Sequence, residues 1–199
     1  MNSENIWDRV LVIDGLIDLK IADDYANYLE SLGDWSLAYI ETLEGDKKIY
    51  DDGVGVYQTP RDDSNTEYTD ALLNSNTLPQ LPNTNVEHST RLHSMKVGSL
   101  MAIHTDKGYS LAVTTYLSNC SGGDLVVEHP DRDEIKIRGR LLTKAIKLRK
   151  IKPKRGRTVI LKCDTPHSVL EVKDGERRSL QTFITYYNKG DQNEQVCDG

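Results

Sequence analysis

From Val86 onward the chain is a succession of short β-prone runs separated by Gly, Asn and Asp turns. They fall at 90–97, 99–104, 110–117, 124–128, 157–162, 168–172 and 179–187. Many short strands with turn signals between them predict a β-sandwich or barrel. The first third reads differently. Residues 8–15 form a β-branched run ending at a Gly turn. Leu19 to Leu32 carries Ile21, Tyr25, Tyr28, Leu29 and Leu32 near helical spacing, with Gly33 as a stop. A second strand is predicted over 35–42 and a polar, turn-rich stretch over 45–64. A short helix follows over 68–73, starting from Ser64 or Thr66, and then a connector with Pro79 and Pro82. The expected fold is mainly β with N-terminal helices (α+β). Residues 1–85 supply a strand and helix support, 86–187 a β-rich core and 188–199 a polar tail.

At 199 residues and 22.5 kDa the chain fits one domain with a sizeable core. No apolar run approaches the roughly 20 residues that span a bilayer, and the start lacks the basic and apolar regions of a secretory leader. Cys120, Cys163 and Cys197 are odd in number and widely spaced, neither a zinc motif nor a disulfide framework. Free thiols in a reducing cytoplasm, with no membrane association, are the expectation. The net charge of −6 is uneven: residues 131–157 hold twelve Lys or Arg against three acidic residues, a local +9 against −15 elsewhere. Residues 133–139 and 145–149 alternate apolar and charged side chains like a hairpin. The block is either a solvated hairpin face or an aid to binding an anionic substrate.

The chemistry-bearing residues lie in the β-rich part. His104 and Asp106 stand two apart, so on a strand they point to the same face. Lys107-Gly108 then breaks the strand. His167 opens a later run after Pro166. Two imidazoles and a carboxylate in this order can form a 2-His-1-carboxylate facial triad, which leaves positions open at a divalent iron and also suits zinc, manganese or nickel. A His-x-Asp alone can equally be a surface turn capped by the Asp side chain.

The surrounding motifs narrow the choice. After His104-Thr105-Asp106 come Tyr116-Leu117-Ser118-Asn119, then Gly122-Gly123-Asp124-Leu125, then Pro153-Lys154-Arg155-Gly156 leading into a strand. His167-Ser168-Val169 and Gly175-Glu176-Arg177-Arg178-Ser179 complete the series. In this order, residues 90–187 resemble the catalytic core of the Fe(II)- and 2-oxoglutarate-dependent dioxygenases, in the prolyl-4-hydroxylase-like branch. The resemblance implies a double-stranded β-helix (jelly roll) holding iron on His104, Asp106 and His167. It implies Fe(II), 2-oxoglutarate and O2 as cofactors, with ascorbate as an optional reductant. Arg177 would pair with the distal carboxylate of 2-oxoglutarate, Tyr116 would donate a hydrogen bond to it, and Ser179 would share that face. Adjacent Arg177 and Arg178 cannot both face inward. The family's Arg-x-Ser spacing selects Arg177, leaving Arg178 at the rim.

One position departs from the pattern. The family commonly has a Tyr three residues before the Gly matched by Gly98, and here that residue is Met95, with His93 and Arg91 on the same strand face. Tyr109 is the candidate to supply the missing hydroxyl. The resemblance implies a hydroxylase releasing succinate and CO2, with a prolyl residue in a peptide or protein as the first substrate and a small molecule as the alternative. Asp106 disfavours a halogenase. Phe183, six residues after Arg177 where nucleic-acid dealkylases carry a second Arg, disfavours nucleic acid. The competing classes are a zinc-dependent hydrolase, for which there is no His-Glu-x-x-His, and a non-catalytic jelly-roll binding protein.

Overall fold

The structure is a computed structural model. It describes residues 2–7, 9–37, 40–41, 47–48, 55–78, 84–137 and 140–188, of which 2–7, 40–41, 47–48, 129–137 and 140–146 are placed in backbone only. In chain order the described strands are β1 (Asn2–Trp7), β2 (Val10–Asp14), β3 (Ser36–Leu37), β4 (Ile40–Glu41), β5 (Lys47–Lys48), β6 (Val56–Gln58), β7 (Thr84–Met95), β8 (Met101–His104), β9 (Leu111–Tyr116), β10 (Ser121–Gly122), β11 (Leu125–Ile137), β12 (Arg140–Ile151), β13 (Arg157–Lys162), β14 (His167–Val169), β15 (Val172–Asp174) and β16 (Arg177–Asn188). The helices are α1 (Leu19–Ser31) and α2 (Glu67–Leu73).

An eight-stranded sheet, ordered β1-β2-β13-β9-β16-β7-β6-β3, faces a four-stranded sheet, β12-β11-β14-β8. Every ladder is antiparallel. This is the expected jelly roll. Side chains alternate across each strand, so the large sheet buries both faces. Leu111, Val113, Ile160, Leu180 and Ile184 meet Tyr25, Leu29, Tyr68 and Leu72 of the two helices. Between the sheets, Ala112, Tyr116, Val159 and Leu161 meet Leu125, Val127 and Val169 of the smaller sheet. On the helix side, Tyr68 donates to Thr115 Oγ1 (3.1 Å), and Thr90 and Thr182 bond to each other (3.0 Å), so the buried hydroxyls are paired.

The local signals explain the helices. The Asp18 side chain caps α1 by accepting from the Lys20 amide, and Gly33 follows it with φ +70°. Thr66 starts α2 through a reciprocal capping box with Thr69. Of the strand predicted over 35–42, the described residues show the two-residue strands β3 and β4. Strand β1 was not expected, because Asn2, Ser3 and Glu4 are poor strand formers. It forms as an edge strand paired only with β2. Strands β2, β3 and β6 from the first 85 residues share the large sheet with β7, β9, β13 and β16. The hairpin expected in the basic block is the outer part of a longer one, β11 with β12, in register from Leu125↔Ile151 to Ile137↔Arg140 with two irregularities. The tail predicted over 188–199 lies outside the described residues apart from Asn188.

Gly122 sits where no other residue fits. Its φ is +72°, and a Cβ there would lie 2.2 Å from the Glu171 carbonyl oxygen. Gly122→Ala is therefore expected to destabilise the fold by about 2 kcal/mol or more, read as a lower urea midpoint.

Candidate metal centre and cosubstrate pocket

Strand β8 ends at His104, and the chain turns over Lys107 and Gly108, the latter with φ +93°. On the neighbouring strand, β14 begins with His167 directly opposite His104. The backbone amide of Asp106 bonds to the Cys163 carbonyl (2.9 Å), which anchors the turn against the loop that leads to His167. The donor atoms of His104, Asp106 and His167 all lie within 4.8 Å of one another. Residues that sequence order separates by more than sixty positions thus converge because β8 and β14 are sheet neighbours.

The protonation pattern favours a cation. Nδ1 of His104 lies 2.9 Å from the Ala102 carbonyl, and Nδ1 of His167 lies 2.9 Å from the Thr165 carbonyl. A carbonyl only accepts, so each Nδ1 carries a proton, and in the neutral imidazole the lone pair then falls on Nε2, on the side of Asp106. Those Nε2 atoms lie 3.7 and 3.4 Å from the two oxygens of Asp106. Oδ2 of Asp106 is buried and accepts no hydrogen bond. Burial depresses the His167 imidazole pKa, and the charge of Asp106 opposes that shift. A buried carboxylate oxygen with no hydrogen-bond donor is costly without a positive partner. Two nitrogens and one oxygen suit a divalent transition metal with coordination positions left open.

Arg177 opens β16, and its side chain points into the space between the sheets, 4% exposed. Nε donates to the Gly123 carbonyl (3.1 Å), Nη2 to the Tyr116 hydroxyl (3.2 Å), and Nη1 lies 3.6 Å from the Met95 sulfur. The guanidinium also lies over the Tyr116 ring, 4.9 Å from its centroid. Among the described residues no carboxylate pairs with it. Gly123 makes room: a Cβ there would come within 3.1 Å of Arg177 Cδ. A buried guanidinium with weak neutral partners is suited to a carboxylate ligand. Ser179, two residues on, is fully buried with an unpaired hydroxyl. Arg178 points the other way, to Glu30 at 2.8 Å near the surface.

Met95 therefore occupies the position of the expected tyrosine as a thioether against Arg177. Tyr109 does not replace it: its ring stacks on Phe183 with centroids 4.5 Å apart, and Arg61 lies over it at 5.6 Å. A polar group that the sequence offered only as a face-mate, His93, stands opposite Ser179 with its Nε2 buried and unpaired. Burial first, then the charges of Arg91, Arg177 and His104, push its pKa down to about 3. This imidazole stays neutral when folded, whereas the unfolded chain takes up a proton near 6.5. Its stabilisation is complete above pH 6.5 and declines as the pH falls towards 3. The loss reaches about 2 kcal/mol by pH 5. Urea midpoints of the metal-free protein should fall between pH 7 and pH 5, and His93→Leu should flatten that slope.

A jelly roll carrying a histidine–aspartate–histidine cluster beside a buried arginine that has no carboxylate partner among the described residues fits an oxygenase class that uses a metal and a dicarboxylate. Residues 90–185 match the family model described as the 2OG-Fe(II) oxygenase superfamily, and the chain carries a domain of that superfamily. That domain is a 2OG-Fe(II) oxygenase domain, with Fe(II), 2-oxoglutarate and O2 as its cofactors. Solved structures share the fold. A Trichoplax adhaerens prolyl hydroxylase, in complex with a hypoxia inducible factor oxygen degradation domain peptide fragment, superposes with a TM-score of 0.62 at 14% identity, covering 96% of this chain and 88% of that one. A Pseudomonas putida prolyl-4-hydroxylase gives 0.61 at 14% identity, covering 88% and 92%. An oxidoreductase of the 2OG-Fe(II) oxygenase family from Burkholderia pseudomallei gives 0.58 at 17% identity, covering 90% and 88%. No curated protein sequence matches the chain.

Proposed function

We propose that the chain hydroxylates a C–H bond of a prolyl residue in a peptide or protein, consuming 2-oxoglutarate and O2 and releasing succinate and CO2. The observation that carries this reading is the buried Arg177, with no carboxylate partner among the described residues, in the same interior as the three metal-type donors. His104, Asp106 and His167 would hold the iron, which when bound supplies the oxygen-activating chemistry. Arg177 binds the far carboxylate of the cosubstrate through its fork, Tyr116 holds that fork from its hydroxyl, and Ser179 offers a further donor on the same face. Burial of Arg177 and Tyr116 keeps water from competing for that carboxylate. A zinc hydrolase would have no use for Arg177.

Support for the prolyl substrate comes from the prolyl hydroxylase structures that share the fold, one of them holding a peptide. The first 85 residues serve as support and 86–187 as the catalytic unit. The unpaired thiols Cys120 and Cys163 suit a cytoplasmic setting. A succinate-release screen with Fe(II), 2-oxoglutarate and ascorbate over proline-containing peptides, free amino acids and nucleotides tests the reading. Substrate-dependent succinate with peptides supports it, and release with nucleotides alone contradicts the prolyl assignment.

A further inference from the structure

Outward from the metal donors lie two guanidiniums that no carboxylate among the described residues neutralises. Met95, His93, Arg91 and Ser89 follow one another on a single face of β7, opposite Arg177, Ser179, Gln181 and Phe183 of β16. Arg91 donates through Nη1 to Gln58 Oε1 (2.6 Å), while its Nε is buried without an acceptor. Gln181, across the ladder, is already used: its Oε1 accepts from Thr114 (2.7 Å). Arg61 rests on the Tyr109 ring. Among the described residues neither Arg61 nor Arg91 has a carboxylate at ion-pair distance. The antiparallel bridge Asp62↔Thr90 sets Arg61 across from Arg91, and burial, then the charge of Arg61, lowers the basicity of Arg91.

The setting is a substrate approach. Arg61, Ser89, Gly108, Tyr109 and Phe183 line a groove of about 320 Å³, and Arg91, outside that lining, lies one same-face step from Ser89 on β7. His93, one same-face step inward from Arg91, is a charge neighbour of His104. Such a step is about 7 Å, the scale of a single amino-acid residue. A half-buried guanidinium, Arg91, beside an exposed one, Arg61, is unfavourable unless an anion joins them. Asp63 and Glu87 border the same groove, and their charge opposes a doubly charged phosphate more strongly than a single carboxylate. The stacked Tyr109 and Phe183 rings offer an apolar wall to the rest of the ligand.

We propose that Arg91 and Arg61 form a carboxylate-recognition site at the mouth of the metal centre, so that the substrate carries a carboxylate close to the carbon that is oxidised. This deepens the hydroxylase reading and rests on it. The carboxylate belongs either to a free amino acid or to an acidic residue beside the target in a peptide.

The test is equilibrium binding, by calorimetry under nitrogen, to enzyme loaded with Mn(II) and 2-oxoglutarate. Two matched pairs are the probes: L-proline with L-prolinamide, and the blocked peptide acetyl-Gly-Pro-Asp-amide with its Asn counterpart. At least one acid is expected to bind tenfold or more tightly than its neutral partner, and which pair does so identifies the source of the carboxylate. The preference should shrink to within about twofold in an Arg61→Gln, Arg91→Gln double variant and survive in part in Arg91→Lys. Acid and amide binding alike in both pairs, no acid binding at millimolar concentration, or a preference unchanged in the double variant would each overturn the proposal. The anaerobic visible band of Fe(II) with 2-oxoglutarate separates the two readings: its absence from the wild type sinks the hydroxylase itself, whereas its presence with no acid preference sinks only the carboxylate site.

Discussion

Arg177→Leu should cost roughly two orders of magnitude in 2-oxoglutarate affinity, and it should do so without unfolding the protein. The guanidinium makes bonds to a neutral carbonyl and a hydroxyl and lies against a sulfur, with no counter-ion among the described residues. Breaking a buried ion pair by removing one partner costs about 3–5 kcal/mol, which is a factor of about 10² to several times 10³ in affinity. In the ligand-free protein the same substitution removes a desolvated charge, so its stability should hold or rise. Opposite signs for apoprotein stability and ligand affinity are the signature of a binding arginine. A structural arginine would lose both. Thermal melts with and without 2-oxoglutarate and Mn(II) check this: the ligand-induced rise in Tm should vanish in Arg177→Leu, while the ligand-free Tm stays within a few degrees of wild type or exceeds it.

Removing the metal donors is expected to have the largest effect on turnover. Asp106→Ala and His167→Ala should each lower succinate formation by about 10³-fold or more, since a site with two donors in place of three no longer fixes the ion. The ligand-free fold should tolerate Asp106→Asn well, because Oδ2 of Asp106 is buried without a hydrogen-bond donor. Metal content after dialysis against Fe(II) or Mn(II) should fall from near one equivalent to near zero in both alanine variants. Retention of a full equivalent in His167→Ala would place the ion elsewhere.

Much of this was legible in the sequence because the relevant signals are local. The spacing of His104 and Asp106, the Gly122-Gly123 pair and the position of Arg177 before Ser179 each reflect a short-range demand. A strand face must repeat every second residue, a φ near +70° needs glycine, and only one of two adjacent arginines can point inward. The start of α2 was legible as one of two candidates, Ser64 or Thr66, and Thr66 forms its capping box within four residues. What escaped depends on non-local pairing. That Arg61 would meet Tyr109 and stand beside Arg91 follows from the return of the 55–62 segment onto β7, through β6 and the Asp62↔Thr90 bridge, which no periodicity announces. Met95 was visible as a missing tyrosine, yet its thioether contact with Arg177 requires the β16–β7 register. Tyr109 was the natural substitute by proximity to Asp106 and proved to be part of the groove wall, because stacking on Phe183 directs its ring there.

The central claim is that the three donors and Arg177 grip the two ends of one dicarboxylate. An anaerobic titration of 2-oxoglutarate into the Fe(II)-loaded protein tests it most directly, followed by visible absorption. A weak charge-transfer band should grow to saturation in the wild type, be absent in His167→Ala, and in Arg177→Leu require roughly a hundredfold more 2-oxoglutarate. A folded, iron-loaded wild type that shows no band, or an Arg177→Leu variant that saturates at the wild-type concentration, would contradict it.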